Sequence, residues 1–184
     1  MSVYEVIKYR KSIRKYTPNP IEQDKLEKIL ESARLAPSWK NKQCWHFIVV
    51  RDRNKINDIA LRSGVISKIN FFLKDAPVII VACANPELSG HLNNQDYYLV
   101  DVAIALEHIV LTAADMGIGT CWIGAFNESK LKKILEIPEN IRIVALSPLG
   151  YPAEKQGVYS KAIKMFAGSK NRKSLDDIVH WNKW

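Results

Sequence analysis

The chain has 184 residues, of which 47% are hydrophobic and 25% are charged, and it carries a formal net charge of +8. This composition is typical of a folded globular protein and excludes a disordered tail, and the length suits one domain over residues 1–184. The longest apolar runs are much shorter than the roughly 18–20 residues of a transmembrane helix, so we expect no membrane partner. The first residues show no apolar signal-peptide region, and we expect a cytoplasmic protein.

Apolar side chains at helical or strand spacing define the elements in the first half of the chain. The clearest helix is predicted over residues 22–36, where apolar side chains recur at i, i+3, i+4 and i+7 from Leu26 and Pro37 ends the pattern. The other predicted elements are a short helix over 3–9, a buried strand over 45–50, short helices over 53–62 and 64–74, and a buried strand over 77–84.

A long helix is predicted in the second half, over residues 94–116, with apolar side chains on more than one face and Gly117 just beyond its end. Such a helix is largely buried in a protein core. The elements that follow are a strand over 121–126, a short helix over 128–136 capped by Asn127, and a strand over 141–149. A few strands mixed with helices around one buried helix indicate an α+β domain.

The net positive charge lies in the two ends of the chain. Residues 1–15 and residues 150–184 each carry a net charge of +4, and the residues between them are neutral overall. If the two ends meet in the fold, they form a site for a small anion, because arginine side chains bind phosphate in a bidentate manner. Two solvated basic tails are the alternative. We expect no nucleic-acid partner, since the sequence has no zinc-finger spacing, RNP-like aromatic motif or basic helix with heptads.

The sequence has none of the common catalytic or metal-binding motifs. Its four histidines show no HExxH or other ligand spacing, so no metal site is expected. It also has no P-loop, no GxSxG elbow and no glycine fingerprint for dinucleotides. The three cysteines lie far apart and are predicted to be buried thiols. Without a nucleophile, a general-base pair or a metal, any chemistry is expected to belong to a bound organic cofactor.

Four segments, in order and at similar spacing, closely resemble those of the FMN-dependent nitroreductase family. They are RKSIRKY at residues 10–16, APSWKNKQCWHF at 36–47, GIGTCWIG at 117–124 and KNR at 170–172. The sequence departs from the family at Cys44, where proline often precedes the tryptophan. The resemblance implies a nitroreductase-like fold, with a mixed central sheet surrounded by helices, a long buried central helix and a dimeric assembly.

The resemblance also implies which residues bind the FMN phosphate. The family uses the first arginine and the serine of an RxSxR pattern together with basic residues near the C-terminus, which correspond to Arg10, Ser12, Lys170 and Arg172. Lys11 lies in the same segment and is predicted to belong to the cofactor-binding site. Arg14 is expected near flavin N1 and the C2 carbonyl, where a fixed cation stabilises the reduced ring and raises its reduction potential. An exposed cation at a helix end is the alternative for Arg14.

Two further segments are implied to lie at the flavin. Because the family binds flavin at a dimer interface, one loop would reach the flavin bound mainly by the other subunit, through Pro37, Ser38, Trp39 and Asn41. A plain helix-to-strand loop rich in turn-forming residues is the alternative. In the second segment the resemblance places backbone amides against the ring edge, with the Ile123 N–H near N5 and Gly124 allowing close approach. Cys121 and Trp122 belong to this segment.

The activity implied by the resemblance is electron transfer from NADH or NADPH through FMN to nitroaromatics, quinones or similar small electrophiles. Hydride would pass through flavin N5 in ping-pong order, with Arg14 as an electrostatic stabiliser and no catalytic side chain. The same scaffold resembles reductive dehalogenases and flavin-modifying enzymes, although 184 residues leave little room for their lid segments. The alternatives without enzymatic activity are a flavin carrier and a basic nucleic-acid binder.

Overall fold

The computed structural model of the chain describes residues 1–65, 69–154 and 172–184. Two compact units can be distinguished, residues 1–154 and residues 155–184. In the second unit, the Ser174 N–H donates to the Asp177 carboxylate at 3.1 Å and the Asp177 N–H donates to the Ser174 hydroxyl at 3.3 Å, which is the reciprocal bonding of a capping box. One domain over the whole chain stays a prediction.

Five α-helices lie in the described part of the first unit. They are α1 Val3–Tyr9, α2 Gln23–Arg34, α3 Arg53–Arg62, α4 Tyr97–Asp115 and α5 Glu128–Leu135. Three of them begin at side-chain caps, because Ser2, Asp52 and Asn127 each accept a hydrogen bond from a backbone N–H in the first turn. The predicted Asn127 cap of α5 is thereby confirmed.

A four-stranded sheet forms the centre of the first unit. The strands in the described residues are β1 Trp45–Val50, β2 Val78–Ala84, β3 His91–Leu92, β4 Gln95–Asp96, β5 Gly119–Thr120 and β6 Arg142–Gly150. The sheet has the order β1-β2-β6-β5 with antiparallel neighbours, and β3 pairs with β4 in a separate hairpin. A parallel bridge between Ser12 and Thr120 adds the segment after α1 to β5 and makes the arrangement mixed.

Strand β2 separates two hydrophobic cores. Its side chains alternate between the two faces of the sheet: those of Val78, Ile80 and Ala82 pack with α2 and α4, whereas those of Ile79 and Val81 pack with α3 and α5. Burial on both faces explains why this strand is a continuous apolar run in the sequence. Strand β1 lies at the edge of the sheet and is only partly buried, so the predicted strand 45–50 is confirmed in its bounds but has one open edge.

Helix α4 is the long central helix that the sequence predicts. Nine of its 19 residues are buried. By length and mean hydropathy alone it could cross a membrane, but half of its apolar stretch is buried inside the protein. We therefore identify it as the core helix of this fold. Gly117 follows its end with φ of 74°, the left-handed conformation that glycine adopts without steric cost, as predicted.

The predicted strand 121–126 is wrong. This segment makes only isolated bridges, from Ile123 to Leu146 and from Phe126 to Gly64, and the strand consists of the two residues of β5 before it. The chain turns at Gly124, whose carbonyl accepts a hydrogen bond from the Phe126 N–H at 3.1 Å, and this tight turn prevents a continuous ladder.

Two predicted helices also differ in their bounds. Helix α4 begins at Tyr97 instead of residue 94, because Asn93 and Asn94 both have positive φ and form the turn of the β3–β4 hairpin. Within the predicted helix 64–74, the structure has a 3₁₀ helix at Phe71–Asp75. Residues 66–68 lie outside the described residues.

Candidate functional site

The segment after α1 runs beside β5 and brings three predicted residues together. One of its backbone N–H groups donates to a carbonyl of β5 at 2.8 Å. Arg10, Ser12 and Arg14 all act on the neighbouring thiol of Cys121: burial raises the pKa of this thiol, and Arg14, the Ser12 hydroxyl and Arg10 oppose that effect. Arg10, Ser12 and Arg14, all half-buried, therefore lie on one short segment that pairs with β5.

The predicted segment Cys121–Gly124 is bonded to β6 through Ile123. The Ile123 N–H donates to the Leu146 carbonyl at 3.0 Å, and the Leu146 N–H returns the bond at 3.0 Å. The expected role of the Ile123 N–H at flavin N5 is therefore corrected, because this N–H is already bonded within the sheet. The Gly124 N–H donates to no residue in the described ranges, and a Cβ added at Gly124 would meet nothing within 4 Å. Gly124 therefore offers an open amide with free space at its Cα.

The loop between α2 and β1 holds Pro37, Ser38, Trp39 and Asn41 and has an unusual backbone. Three of its non-glycine residues have positive φ, namely Lys40 at 46°, Asn41 at 56° and Gln43 at 49°. Such conformations cost free energy and persist only where the surroundings fix them. Here the Gln43 N–H donates to the Ser38 hydroxyl at 2.9 Å, and the Gln43 side chain bonds to Asn41. These hydrogen bonds hold the backbone of the partly exposed loop in this conformation.

Asp101 of α4 fixes this loop to the core. Its side chain is buried, with 2% exposure, and accepts hydrogen bonds from the Trp39 N–H at 2.8 Å and from the Ser89 hydroxyl at 2.8 Å. The thiol of Cys44 lies 3.5 Å from the same carboxylate. The Trp39 ring packs against Tyr97 with their centroids 4.2 Å apart. We did not predict a role for Asp101, although a carboxylate among the apolar residues of a buried helix was a signal that could have identified it.

Replacing Asp101 with alanine is expected to lower the free energy of unfolding by about 2–5 kcal/mol, because the partly buried donors of Trp39 and Ser89 lose their charged acceptor. Urea denaturation measures this change. The matched control is Asp115→Ala on the same helix, whose carboxylate is half exposed and pairs with the N-terminal amine, and it should cost at most about 1 kcal/mol. Equal losses in both variants would contradict the assigned role of Asp101.

All three cysteines are buried and free, as predicted. Burial, followed by the charge of Asp101, raises the pKa of Cys44 to about 11, and burial raises that of Cys83 to about 12. We expect iodoacetamide to leave the folded protein unmodified at pH 8 and to alkylate all three thiols in urea, as mass spectrometry would show. Rapid alkylation of Cys121 in the folded protein would contradict its assignment as a buried thiol.

The raised thiol pKa values also predict how stability depends on pH. The free energy of unfolding should decline as the pH rises above the ordinary thiol pKa of 9.0, because only the unfolded thiols ionise there.

The other predicted residues are placed as follows. Lys11 is exposed, and the indole N–H of the partly exposed Trp122 donates to Glu107 of α4 at 3.3 Å. Lys170 lies outside the described residues, and Arg172 belongs to the second compact unit. Among the described residues, no group of three or more His, Cys, Asp or Glu side chains is arranged to hold a metal ion.

Comparison with known proteins identifies the family and the fold of this chain. The sequence model described as "Nitroreductase family" matches residues 7–151. The chain belongs to the nitroreductase family. A protein of Archaeoglobus fulgidus provisionally named NADH dehydrogenase/NAD(P)H nitroreductase is 35% identical, over 98% of this chain and 97% of its own length.

Two crystal structures of nitroreductase-family proteins share this fold. One is a nitroreductase family protein from Clostridium novyi NT, with 49% identity, a TM-score of 0.79, and coverage of 88% of this chain and 91% of that one. The other is an FMN-dependent nitroreductase from Clostridium difficile R20291, with 31% identity, a TM-score of 0.75, and coverage of 97% and 98%. The predicted family, fold class and oxidoreductase activity are confirmed.

Proposed function

We propose that this nitroreductase-family protein binds FMN and uses NADH or NADPH to reduce small electrophilic molecules such as nitroaromatics and quinones. The cofactor and the donor agree with the names of the relatives from C. difficile R20291 and A. fulgidus. The observation that carries the proposal is that Ser12, between Arg10 and Arg14, pairs with Thr120, four residues before the open Gly124.

The residues present at this position fit a flavin mononucleotide. A phosphate group carries about −1.5 to −2 charges at neutral pH and is bound well by arginine forks and hydroxyl donors, which Arg10 and Ser12 supply. A planar ring needs an approach free of side chains, and the open space at Gly124 provides one. Arg172 and Lys170 are proposed to add positive charge around the phosphate.

FMN supplies the two-electron chemistry between the nicotinamide donor and the acceptor when it is bound. The protein's contribution is binding and electrostatics. The fixed cation of Arg14 stabilises negative charge that develops nearby, since a preorganised charge needs no reorganisation during reaction. The Gly124 N–H offers a hydrogen bond without a side chain in the way. No side chain is required as a nucleophile, and the three thiols stay protonated at neutral pH.

We also propose a homodimer in which the loop at Pro37, Ser38, Trp39 and Asn41 completes the partner's site. Exposed apolar side chains on α4 and in the segment after β5 support such an assembly, namely those of Leu99, Val100 and Trp122. The rigid backbone of the loop suits insertion into a partner, since little conformational freedom is lost on contact. Light scattering tests the dimer, and a monomer that retains FMN would contradict it. The cytoplasmic location stays a prediction.

Steady-state kinetics with the FMN-loaded protein test the reaction. We expect NADH or NADPH oxidation to depend on added nitroaromatic or quinone, with parallel double-reciprocal lines that indicate ping-pong order. A panel that includes halogenated aromatics distinguishes the second candidate, a reductive dehalogenase. Failure of every acceptor to stimulate nicotinamide oxidation would refute the proposed function.

A further inference from the structure

A large basic cleft lies apart from the residues assigned to the flavin. Its volume is about 670 Å³, within the range of roughly 300–1,000 Å³ that is typical of small-molecule sites. It is bounded by residues 15–21, the end of β1, the start of α3 and the start of β2. None of the residues assigned to FMN lines it.

Four cations line this cleft, namely Lys15, Arg51, Arg53 and Lys74, against one carboxylate, Asp75. The lining therefore has a net formal charge of +3. Positive side chains gathered in a cleft reinforce one another's potential, because the low-dielectric walls focus the field. The cleft thus attracts anions more strongly than the same side chains would on an open surface.

The four cations have no ion-pair partner among the residues that the structure describes. Two other arginines are paired: Arg34 lies 2.6 Å from Glu31, and Arg142 lies 2.9 Å from Glu128. In the described ranges no carboxylate lies within 4.0 Å of the four cleft cations. The segments outside those ranges, residues 66–68 and 155–171, contain no Asp or Glu.

Both guanidinium groups are held in place by neutral acceptors. Arg53 donates to the carbonyl of Ala76 at 2.8 Å and to that of Lys74 at 2.5 Å. Arg51 donates to the side-chain carbonyl of Gln23 at 2.8 Å. Each guanidinium has five N–H donors, so donors remain for a ligand after these bonds. The guanidinium groups of Arg51 and Arg53 are therefore fixed in position before a ligand binds and have no ion-pair partner in the described ranges. A preorganised anion site requires this arrangement.

The walls of the cleft add an apolar surface. Pro18, Pro20 and Pro77 lie there with Tyr16 and Val78. Prolines are stiff, and the ring of Tyr16 is fixed because its hydroxyl donates to the Ile13 carbonyl at 2.6 Å. A ligand with both charged and apolar parts matches this lining better than a free ion does.

We propose that this cleft binds the phosphoryl groups of a small organic phosphate. One or two phosphoryl groups, each of about −1.5 to −2 charges, balance the net charge of the lining. Arginine forks bind their oxygens in bidentate fashion. The site is separate from the proposed flavin site and does not depend on the proposed reaction.

Calorimetry on the FMN-loaded protein tests the cleft, with ADP as the probe, adenosine as the uncharged control and inorganic pyrophosphate as the free-anion control. We expect saturable binding of ADP and none of adenosine. The double variant Lys15→Gln/Arg51→Gln should lower the affinity for ADP by at least about tenfold. The surface control Lys133→Gln, which removes one positive charge at an exposed position of α5, should change it by less than about twofold.

Each outcome of this experiment decides the proposal. Tighter binding of ADP than of pyrophosphate assigns the cleft to organic phosphates. Equal binding of the two would indicate a site for free anions and would overturn the proposal. The proposal would be refuted if ADP showed no saturable binding or if the double variant kept the original affinity for ADP. It would also be refuted if Lys133→Gln lost as much affinity for ADP as the double variant. The FMN content of the double variant should equal that of the unaltered protein, so a failure here is distinguishable from a failure of the flavin assignment.

Discussion

Replacing Arg10 with alanine lowers the affinity for FMN by about ten- to hundredfold in our account. A hydrogen bond to a charged group contributes about 1.5–3 kcal/mol, and the half-buried position of Arg10 limits compensation by water. Arg172→Ala is also expected to lower the affinity for FMN, because Arg172 belongs to the basic residues 150–184. Fluorescence titration of the apoprotein with FMN measures both affinities.

The matched control for this experiment is Lys8→Ala. Lys8 carries the same charge two residues earlier, on the exposed side of α1, with its ammonium 5.4 Å from the Tyr4 ring centroid. Its removal should change the affinity for FMN by less than about twofold at physiological salt, because exposed charges are screened. Normal FMN affinity in both Arg10→Ala and Arg172→Ala would contradict the phosphate assignment.

Replacing Gly124 with leucine is expected to abolish FMN binding while leaving the protein folded. A Cβ added at this position meets no protein atom within 4 Å and the φ angle is not positive, so we expect the substitution to leave the fold intact. It would instead fill the space in which we place the flavin ring, and a steric conflict of this kind costs far more than one hydrogen bond. Flavin content after purification and the melting temperature of the apoprotein are the two measurements.

The control for Gly124→Leu is Ser129→Leu, which adds the same side chain at an exposed position of α5. This variant should keep its FMN. If Gly124→Leu also retained FMN at the level of the unaltered protein, the flavin ring would have to lie elsewhere. If Gly124→Leu lost FMN only because the fold was lost, its melting temperature would fall sharply, and that result would contradict the open space at Gly124.

Elements set by local pattern could be predicted from the sequence. Helix α2 follows from its apolar spacing, β2 from its continuous apolar run, and the start of α5 from the Asn127 cap. The segment 121–126 could not be predicted in the same way. Its apolar residues suit a strand, but a strand also needs a partner along its length. Because the chain turns at Gly124, only Ile123 of this segment pairs with β6.

The candidate site was predictable where a motif marks it and not where tertiary contacts create it. The resemblance identified Arg10, Ser12 and Arg14, and the structure brings these three together. The buried carboxylate of Asp101 bonds to a loop 62 residues away, a distance in sequence over which periodicity carries no information. The sequence likewise does not show that the Ile123 N–H is bonded to Leu146 while the Gly124 N–H is open, because this depends on how the segment pairs with β6.

The visible absorption spectrum of the freshly purified protein tests the central claim most directly. We expect the absorption bands of oxidised flavin, release of FMN on heating as identified by mass, and anaerobic bleaching by NADH or NADPH. This result would establish the cofactor and name the donor in one experiment. A colourless protein that added FMN does not reconstitute would contradict the assignment of Arg10, Ser12, Arg14 and Gly124 to a flavin site.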